Sequence, residues 1–422
     1  MHRLGAILFI LVSLISFIQS KLEFITEVCR HGARAPHGDT FGTVFENGPG
    51  MLTPSGFRQH YLIGDELRNR YITGMDKSQN LLSPRFNPEE VYVRSTQSLR
   101  TVQSAYAQLL GMFPLGTAED LRSDQIDVSI PPLNMHDLEE IITELGTDAV
   151  QDGMQPVTVK NYGQSVDSFI AYGGCPYIVN DYSRRVDDPE VWQPHDDHYR
   201  PLIFNQIAEA FEKDPDDLSF MKIYKYSDLL FAENFEGKLD RYNFTNEEWE
   251  IVRSMQVTLL IEKLSPLSSK ILSLRYIFPI MELIKSSMGQ DYNKELVKNF
   301  RNPKFLLLSS HDYQLSHILK LLNPENIEVT HIEYASVLIF ELHRRDTRAC
   351  KDSSEDACFY VKIIYNDVPL KLPGCSSIDC SFNEFRGYIE SFDMTYNQMI
   401  EICFSEAPLK IPNYEEISQL LS

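Results

Sequence analysis

Three short apolar runs in this 422-residue chain stop at charged side chains, and that recurrence limits the fold more than any other feature. Residues 22–29 are β-branched and apolar and run into Arg30-His31-Gly32. Residues 90–93 read as a second short strand, ahead of Arg94-Ser95-Thr96. Residues 304–309 hold Phe305-Leu306-Leu307-Leu308 and stop before His311-Asp312. An unbroken apolar run of this length is typical of a strand buried on both faces of a parallel sheet. Helix signals follow each run. Thr53-Pro54 supplies an N-cap and a proline at the first helical position, and Phe57, Tyr61, Leu67 and Tyr71 recur at helical spacing. Ser95 or Thr96 caps a helix with Leu99, Val102, Tyr106 and Leu109 on one stripe, closed by Gly111 and Pro114. A third helix is predicted from about Tyr313 to Leu322, and residues 335–342 and 358–365 read as two more strands. Strand alternating with helix is the α/β pattern.

The middle of the chain differs. Residues 116–299 carry loops rich in Asp and Pro, then helical patterns over 201–213 and 246–288, with little strand alternation. The expected organisation is one discontinuous α/β domain, residues 21–115 and 300–422, interrupted by a mostly helical cap at 116–299.

Residues 1–20 read as a secretory signal peptide: His2 and Arg3, an apolar run over 4–18, and a small residue ahead of Lys21. The run is shorter than the roughly 20 residues of a membrane span. The tail at 411–422 is too polar for an anchor, so no stable membrane anchor is expected. Secretion exposes the seven cysteines to oxidation. Cys29, inside the first strand, reads as a free buried thiol. Close spacing favours Cys350 with Cys358 and Cys375 with Cys380, leaving Cys175 for Cys403, although spacing alone leaves the connectivity open. No pair has the CxxC spacing of a zinc site. Asn243-Phe244-Thr245 is a glycosylation acceptor in a polar setting.

With 39 basic against 60 acidic residues and a formal charge of −21, the surface repels polyanions, which excludes a nucleic-acid binder. A small anion could bind only where basic groups are concentrated. In an open α/β sheet the carboxyl ends of the strands offer that place. If the three runs share a sheet, three arginines, Arg30, Arg34 and Arg94, converge there with His31, His311 and Asp312, and Arg100 lies a helical turn on from Arg94. Arginine forks suit tetrahedral oxyanions, a neutral histidine can attack phosphorus, and a carboxylic acid can protonate the departing alcohol.

Arg30-His31-Gly32-Ala33-Arg34-Ala35-Pro36 resembles the Arg-His-Gly-x-Arg-x-Pro signature of the histidine acid phosphatases, in particular their prostatic and lysosomal branch. The likeness extends through Leu52-Thr53-Pro54-Ser55-Gly56, Val91 to Thr96 with Arg100-Thr101, Ser310-His311-Asp312, the sequon followed by Trp249, and Leu372-Pro373-Gly374-Cys375 with Cys380. It is weak between about residues 116 and 235. The resemblance implies a phosphoglycerate-mutase-like central mixed sheet flanked by helices, with a helical cap, and a secreted or lysosomal acid phosphatase acting on small phosphate monoesters without a cofactor or metal, as a homodimer. It implies His31 as nucleophile, Asp312 as general acid, and Arg30, Arg34, Arg94 and His311 as phosphate ligands. Phytase-like or lysophospholipid phosphatase specialisation, or an anion-binding relative without catalysis, are its rivals. The departures are Gln97 and Tyr313-Gln314, where close relatives carry Asp and Thr-Thr.

Outside the motifs, His195-Asp196-Asp197-His198 has the look of a metal clip, but Pro194 places it in a loop on sequence grounds. His37 is a candidate for the pocket rim. His60, His136, His317, His331 and His343 show no partner pattern and read as structural or surface residues.

Overall fold

The computed structural model describes residues 20–406 except 38–44, 47, 166, 168–169, 171, 239–241 and 352. Of the expected signal peptide, residues 1–19 lie outside the described residues, as does the tail at 411–422, while Ser20 opens β1. In chain order the helices and strands are β1 (Ser20–Arg30), α1 (Pro54–Tyr71), β2 (Val91–Ser95), α2 (Leu99–Met112), α3 (Leu138–Leu145), β3 (Val159–Lys160), α4 (Pro176–Val186), α5 (Pro189–Tyr199), α6 (Asn205–Ala210), α7 (Phe220–Phe235), α8 (Asn246–Glu262), α9 (Pro266–Ser287) and α10 (Lys294–Val297). They continue with β4 (Phe305–Ser310), α11 (Asp312–Leu322), β5 (Val337–Arg345), β6 (Phe359–Tyr365), β7 (Val368–Pro369), β8 (Asp379–Ser381), α12 (Phe382–Glu390) and α13 (Tyr396–Cys403).

One mixed sheet runs β3-β2-β4-β1-β5-β6-β7, with β8 on β6. The three motif-bearing strands are neighbours: β4 lies between β1 and β2 and is parallel to both. Arg30 is in register with Ser310, and Ser95 with Ser309, so the three strands end level. β5 and β6 run antiparallel, which makes the sheet mixed as expected. The apolar runs of β1 and β4 bury both faces. Phe24, Val28, Leu306 and Leu308 join one core with α9 and α11, while Ile25, Cys29, Phe305 and Leu307 join a second core with α1 and α2.

The expected cap of residues 116–299 is too broad. α4 and α9 are apolar on faces that pack into the sheet core through Ile178, Val179, Ile271, Leu274 and Ile277, and β3 extends the sheet edge beside β2. Among the described residues of this segment, a separate apolar core spans residues 192–259, on α5 to α8. The predicted helix at 246–288 is two helices, since Ser265 caps α9 with Pro266 at its first position. Pro194 does not break α5 into a loop: His195 and His198 lie on that helix, with the proline inside it.

The cysteines join as Cys175–Cys403, Cys350–Cys358 and Cys375–Cys380, and Cys29 is free and buried. Among the described residues no helix is long and apolar enough to cross a membrane.

Candidate active site

The site begins where β1 ends. The loop from Arg30 to Pro36 folds against the N-terminus of α1, and two glycines make that contact close enough. A Cβ on Gly32 would lie 2.5 Å from the Gly56 carbonyl oxygen, and one on Gly56 would lie 2.2 Å from that of Ala33. This is the physical reason that Thr53-Pro54-Ser55-Gly56 accompanies the loop. Thr53 caps α1, and its backbone N–H donates to the Ala33 carbonyl at 2.9 Å, while the Gly32 N–H donates to Ser104 Oγ of α2 at 3.0 Å. The loop is therefore held from two helices.

His31 is fully buried. Its Nδ1 lies 2.8 Å from the Gly32 carbonyl oxygen. A carbonyl only accepts, so Nδ1 carries the proton and the ring lone pair is on Nε2. Nε2 has no hydrogen-bond partner among the described residues. Burial, then the charges of Arg100, Arg30, His311 and Arg34, hold the imidazole well below its ordinary pKa. Even in acid the ring stays neutral, with a nucleophilic lone pair.

Each neighbouring cation has a partner. Arg30 donates from Nη2 to Asp312 Oδ2 at 2.7 Å, from Nη1 to the Ile332 carbonyl, and stacks over Tyr334 at 4.3 Å. Arg34 forks onto Asp228 of α7, at 2.7 and 3.2 Å. Burial pushes the Asp228 carboxyl up, but Arg34 and His37 outweigh it and hold that group below the usual carboxylate range. The backbone N–H of His37 donates to the same carboxylate at 2.9 Å. Glu236, also from the cap, accepts from Thr53 and Ser55 at 2.6 and 2.9 Å. The cap is thus fastened to the His31 loop at two carboxylates.

Arg94 and Arg100 divide differently from the sequence expectation. Arg94 pairs with the buried Asp167 at 2.6 Å and stacks on Tyr162 at 4.4 Å. Arg100, the second residue of α2, donates to His311 Nδ1 at 3.2 Å, and its charge is the foremost of those acting on His31. Its burial, followed by the repulsion of Arg34, lowers its pKa to about 9. Strand register explains the exchange. Arg94 is within β2, whereas Arg100 rises from the strand end on the first turn of the next helix.

His311 caps α11, its ring centroid 5.4 Å from that of His31. Since Arg100 donates to Nδ1, the His311 proton is on Nε2, 3.0 Å from Thr96 Oγ1. Both ring nitrogens are committed, so His311 aims Arg100 where the sequence expected a direct donor to a phosphoryl oxygen. Asp312 opens α11 and lines a cleft with Arg30, Tyr224, Asp228, Phe235 and Tyr334. Positive dipole at that helix end favours an anion beside it.

A model of the "Histidine phosphatase superfamily (branch 2)" matches residues 39–366. The chain belongs to this superfamily. It is a phosphatase, and curated relatives across most of its length are named as acid phosphatases. The lysosomal acid phosphatase of Xenopus laevis is 25% identical over 417 residues, covering 92% of this chain and 81% of that protein. The human lysosomal acid phosphatase is 26% identical over 84% of this chain and 74% of its own length, and the prostatic acid phosphatase of Mus musculus is 26% identical over 88% and 86%. Among solved structures, the Hafnia alvei phytase in its apo form is 14% identical with a TM-score of 0.58, covering 88% of this histidine phosphatase and 97% of that chain. The phytase from Citrobacter braakii gives 14% and 0.59, covering 88% and 98%. These two likenesses concern the fold.

Several members of the site are silent in the sequence. Asp228 and Glu236 come from the cap, some 190 residues after the loop they hold, and no local pattern marks them. Arg100 is visible as a cation in a first helical turn. His60, read as structural or surface, is buried with Nε2 3.1 Å from the Arg30 carbonyl oxygen, and His331 reaches the cleft beside Glu333. His195 stacks on Phe220 at 5.3 Å, and Asp196 is taken by Arg200 and by the N–H of Phe220. Among the described residues no group of three metal-ligating side chains forms.

Proposed function

We propose that this phosphatase hydrolyses small phosphate monoesters through a phosphohistidine on His31, in an acidic secreted or lysosomal compartment. The observation that carries the reading is the His31 tautomer, which leaves Nε2 unprotonated beside Arg30, Arg34 and Arg100. Nε2 attacks phosphorus, the phosphorus–oxygen bond to the alcohol breaks, and Asp312 gives its proton to the departing oxygen. Water then attacks the phosphohistidine, returns a proton to Asp312 and releases phosphate. Arg30, Arg34 and Arg100 neutralise the oxygens as charge builds on them, in a site where buried donors act strongly, and His311 keeps Arg100 on target.

Acid leaves the nucleophile intact, because His31 remains neutral there. Tyr224, Phe231, Phe235 and Tyr334 wall the cleft beside Asp312, with Asp228 among them. The aromatic walls suit an apolar alcohol group, and Arg253 and His331 also line the cleft. Three disulfides and relatives named as lysosomal acid phosphatases support the compartment. Asn243 is exposed, ahead of Thr245 which caps α8, and suits a glycan. Turnover of an aryl phosphate by the wild type, lost in a folded His31→Ala protein, supports the reading; undiminished turnover in that variant rejects it.

A further inference from the structure

Behind the His31 loop, between the sheet and α1 and α2, runs a chain of fully buried polar groups that the reaction above does not use. The Gln108 amide N–H groups donate to the two carboxylate oxygens of Glu27 at 2.8 and 2.7 Å. Gln108 Oε1 lies 3.1 Å from His60 Nδ1, and His60 Nε2 lies 3.1 Å from the Arg30 carbonyl oxygen. Glu27, His60 and Gln108 have no exposed surface.

We propose that Glu27, Gln108 and His60 are positioning residues that hold the Arg30–His31 corner through one shared, buried proton. The count follows from donor and acceptor chemistry. Both ends of the chain, a carboxylate and a peptide carbonyl, are acceptors. Three links need three hydrogens. Gln108 turns its N–H toward one side and its oxygen toward the other, so it serves one link. Neutral His60 serves one more. The third hydrogen must be on Glu27, with the Gln108 amide turned end for end so that its oxygen accepts from Glu27 and its N–H donates to His60 Nδ1, or be a second proton on His60; without it two lone pairs face each other at one link, unrelieved by water. Whichever link fails, the hydrogen bond to Arg30 is weakened, and Arg30 holds Asp312 and precedes His31.

Burial raises Glu27 to about 7 against the hydrogen bonds of Gln108 and Cys29, and lowers His60 to about 4 against those of Gln108 and Arg30. In acid the proton therefore belongs to Glu27. Facing Glu27 are Cys29 on its own strand, Gln108 from α2, and His60 and Tyr71 from α1. Tyr71 donates to Glu341 of β5 at 2.6 Å, and Glu341 pairs with His343 at 2.8 Å. Tyr71 spends its hydrogen on Glu341, and Cys29 Sγ, 4.0 Å from Gln108 Oε1, is a weak donor set beside the links rather than in them.

Glu27→Gln tests the proposal, because an amide can donate to Gln108 at every pH. Glu27 has a raised folded-state pKa, so its contribution to stability is complete below its unfolded value and is lost as pH rises toward 7. Wild-type Tm should fall over that interval relative to Glu27→Gln. The ratio of kcat at pH 8 to kcat at pH 5 on an aryl phosphate should rise about tenfold in the variant, the loss expected one unit above a controlling pKa. The activity arm rests on the proposed function, whereas the Tm arm does not. Superimposed Tm profiles overturn the proposal whatever the activity does, as does a variant that fails to fold. A Tm difference with an unchanged kcat ratio removes the link to Arg30.

Discussion

Arg100 Nη2 donates to His311 Nδ1 at 3.2 Å, joining the first turn of α2 to the first residue before α11 across the ends of β2 and β4. The contact fixes the imidazole tautomer and places a guanidinium beside His31. Arg94, the arginine that the motif offers first, is committed to Asp167. The two arginines should therefore separate in experiment. Arg100→Ala should lower kcat/KM about 100-fold or more, the cost of losing one donor to a developing oxyanion. Arg94→Ala should act mainly on stability, since it takes the ion-pair partner from the buried Asp167 carboxylate, at a cost of about 3 kcal/mol. Kinetics and Tm on both variants decide, and the reverse pattern would restore Arg94 to the phosphate site.

Asp312 meets Arg30 at the cleft, where a leaving oxygen would depart. Asp312→Asn should reduce turnover of alkyl phosphates by about 100-fold or more, the usual value of general acid catalysis. Aryl phosphates should suffer far less, because a phenolate leaves without a proton. Equal losses on the two substrates would take the proton-donor role away from Asp312.

The Arg34–Asp228 pair gives a dependence on acid. Asp228 is depressed in the folded protein, so its stabilisation is present above the unfolded carboxyl pKa, about 4, and is lost as pH falls below it. The pair stays intact at pH 5. Asp228→Asn should lower Tm at pH 5 and flatten the fall in Tm below pH 4. A variant with the wild-type Tm at pH 5 would show that the cap is held elsewhere.

The Cys175–Cys403 bridge closes a separation of 228 residues and ties α13 to the start of α4. In the chain-entropy account a loop of that length is worth about 5 kcal/mol. Cys403→Ser should reduce Tm by several degrees, while the thiol of Cys29 should react with a maleimide only after unfolding. Rapid labelling of Cys29 in the folded protein would contradict its burial at the centre of β1.

The sheet was legible because its strands announce themselves twice, by unbroken apolar runs and by the charges that follow them. Cys29 inside such a run could be read as buried for the same reason. The cap boundaries were not, since α4 and α9 are helices whether they pack on the sheet or on each other, and periodicity does not reveal the partner. The site divides along similar lines. His31, Arg30 and Asp312 sit beside strand ends, where sequence and geometry coincide. Arg100 required the register of α2, and Asp228 required the tertiary fold, because a carboxylate 194 residues from its arginine has no local signature. Gln314, one of the two departures at Tyr313-Gln314, caps α11 by accepting from the His311 N–H at 2.9 Å. Gln97 accepts from the Gln164 N–H at 3.0 Å. Both keep a local hydrogen-bonding task that amide side chains perform.

The central claim is that His31 Nε2 takes the phosphoryl group. Rapid acid-free quenching during turnover of a labelled aryl phosphate, followed by peptide mapping, tests it most directly. The account predicts an acid-labile, base-stable phosphoryl group on the peptide containing His31, absent in Asp312-intact His31→Ala. Label on any other residue, or steady turnover by His31→Ala, would contradict it.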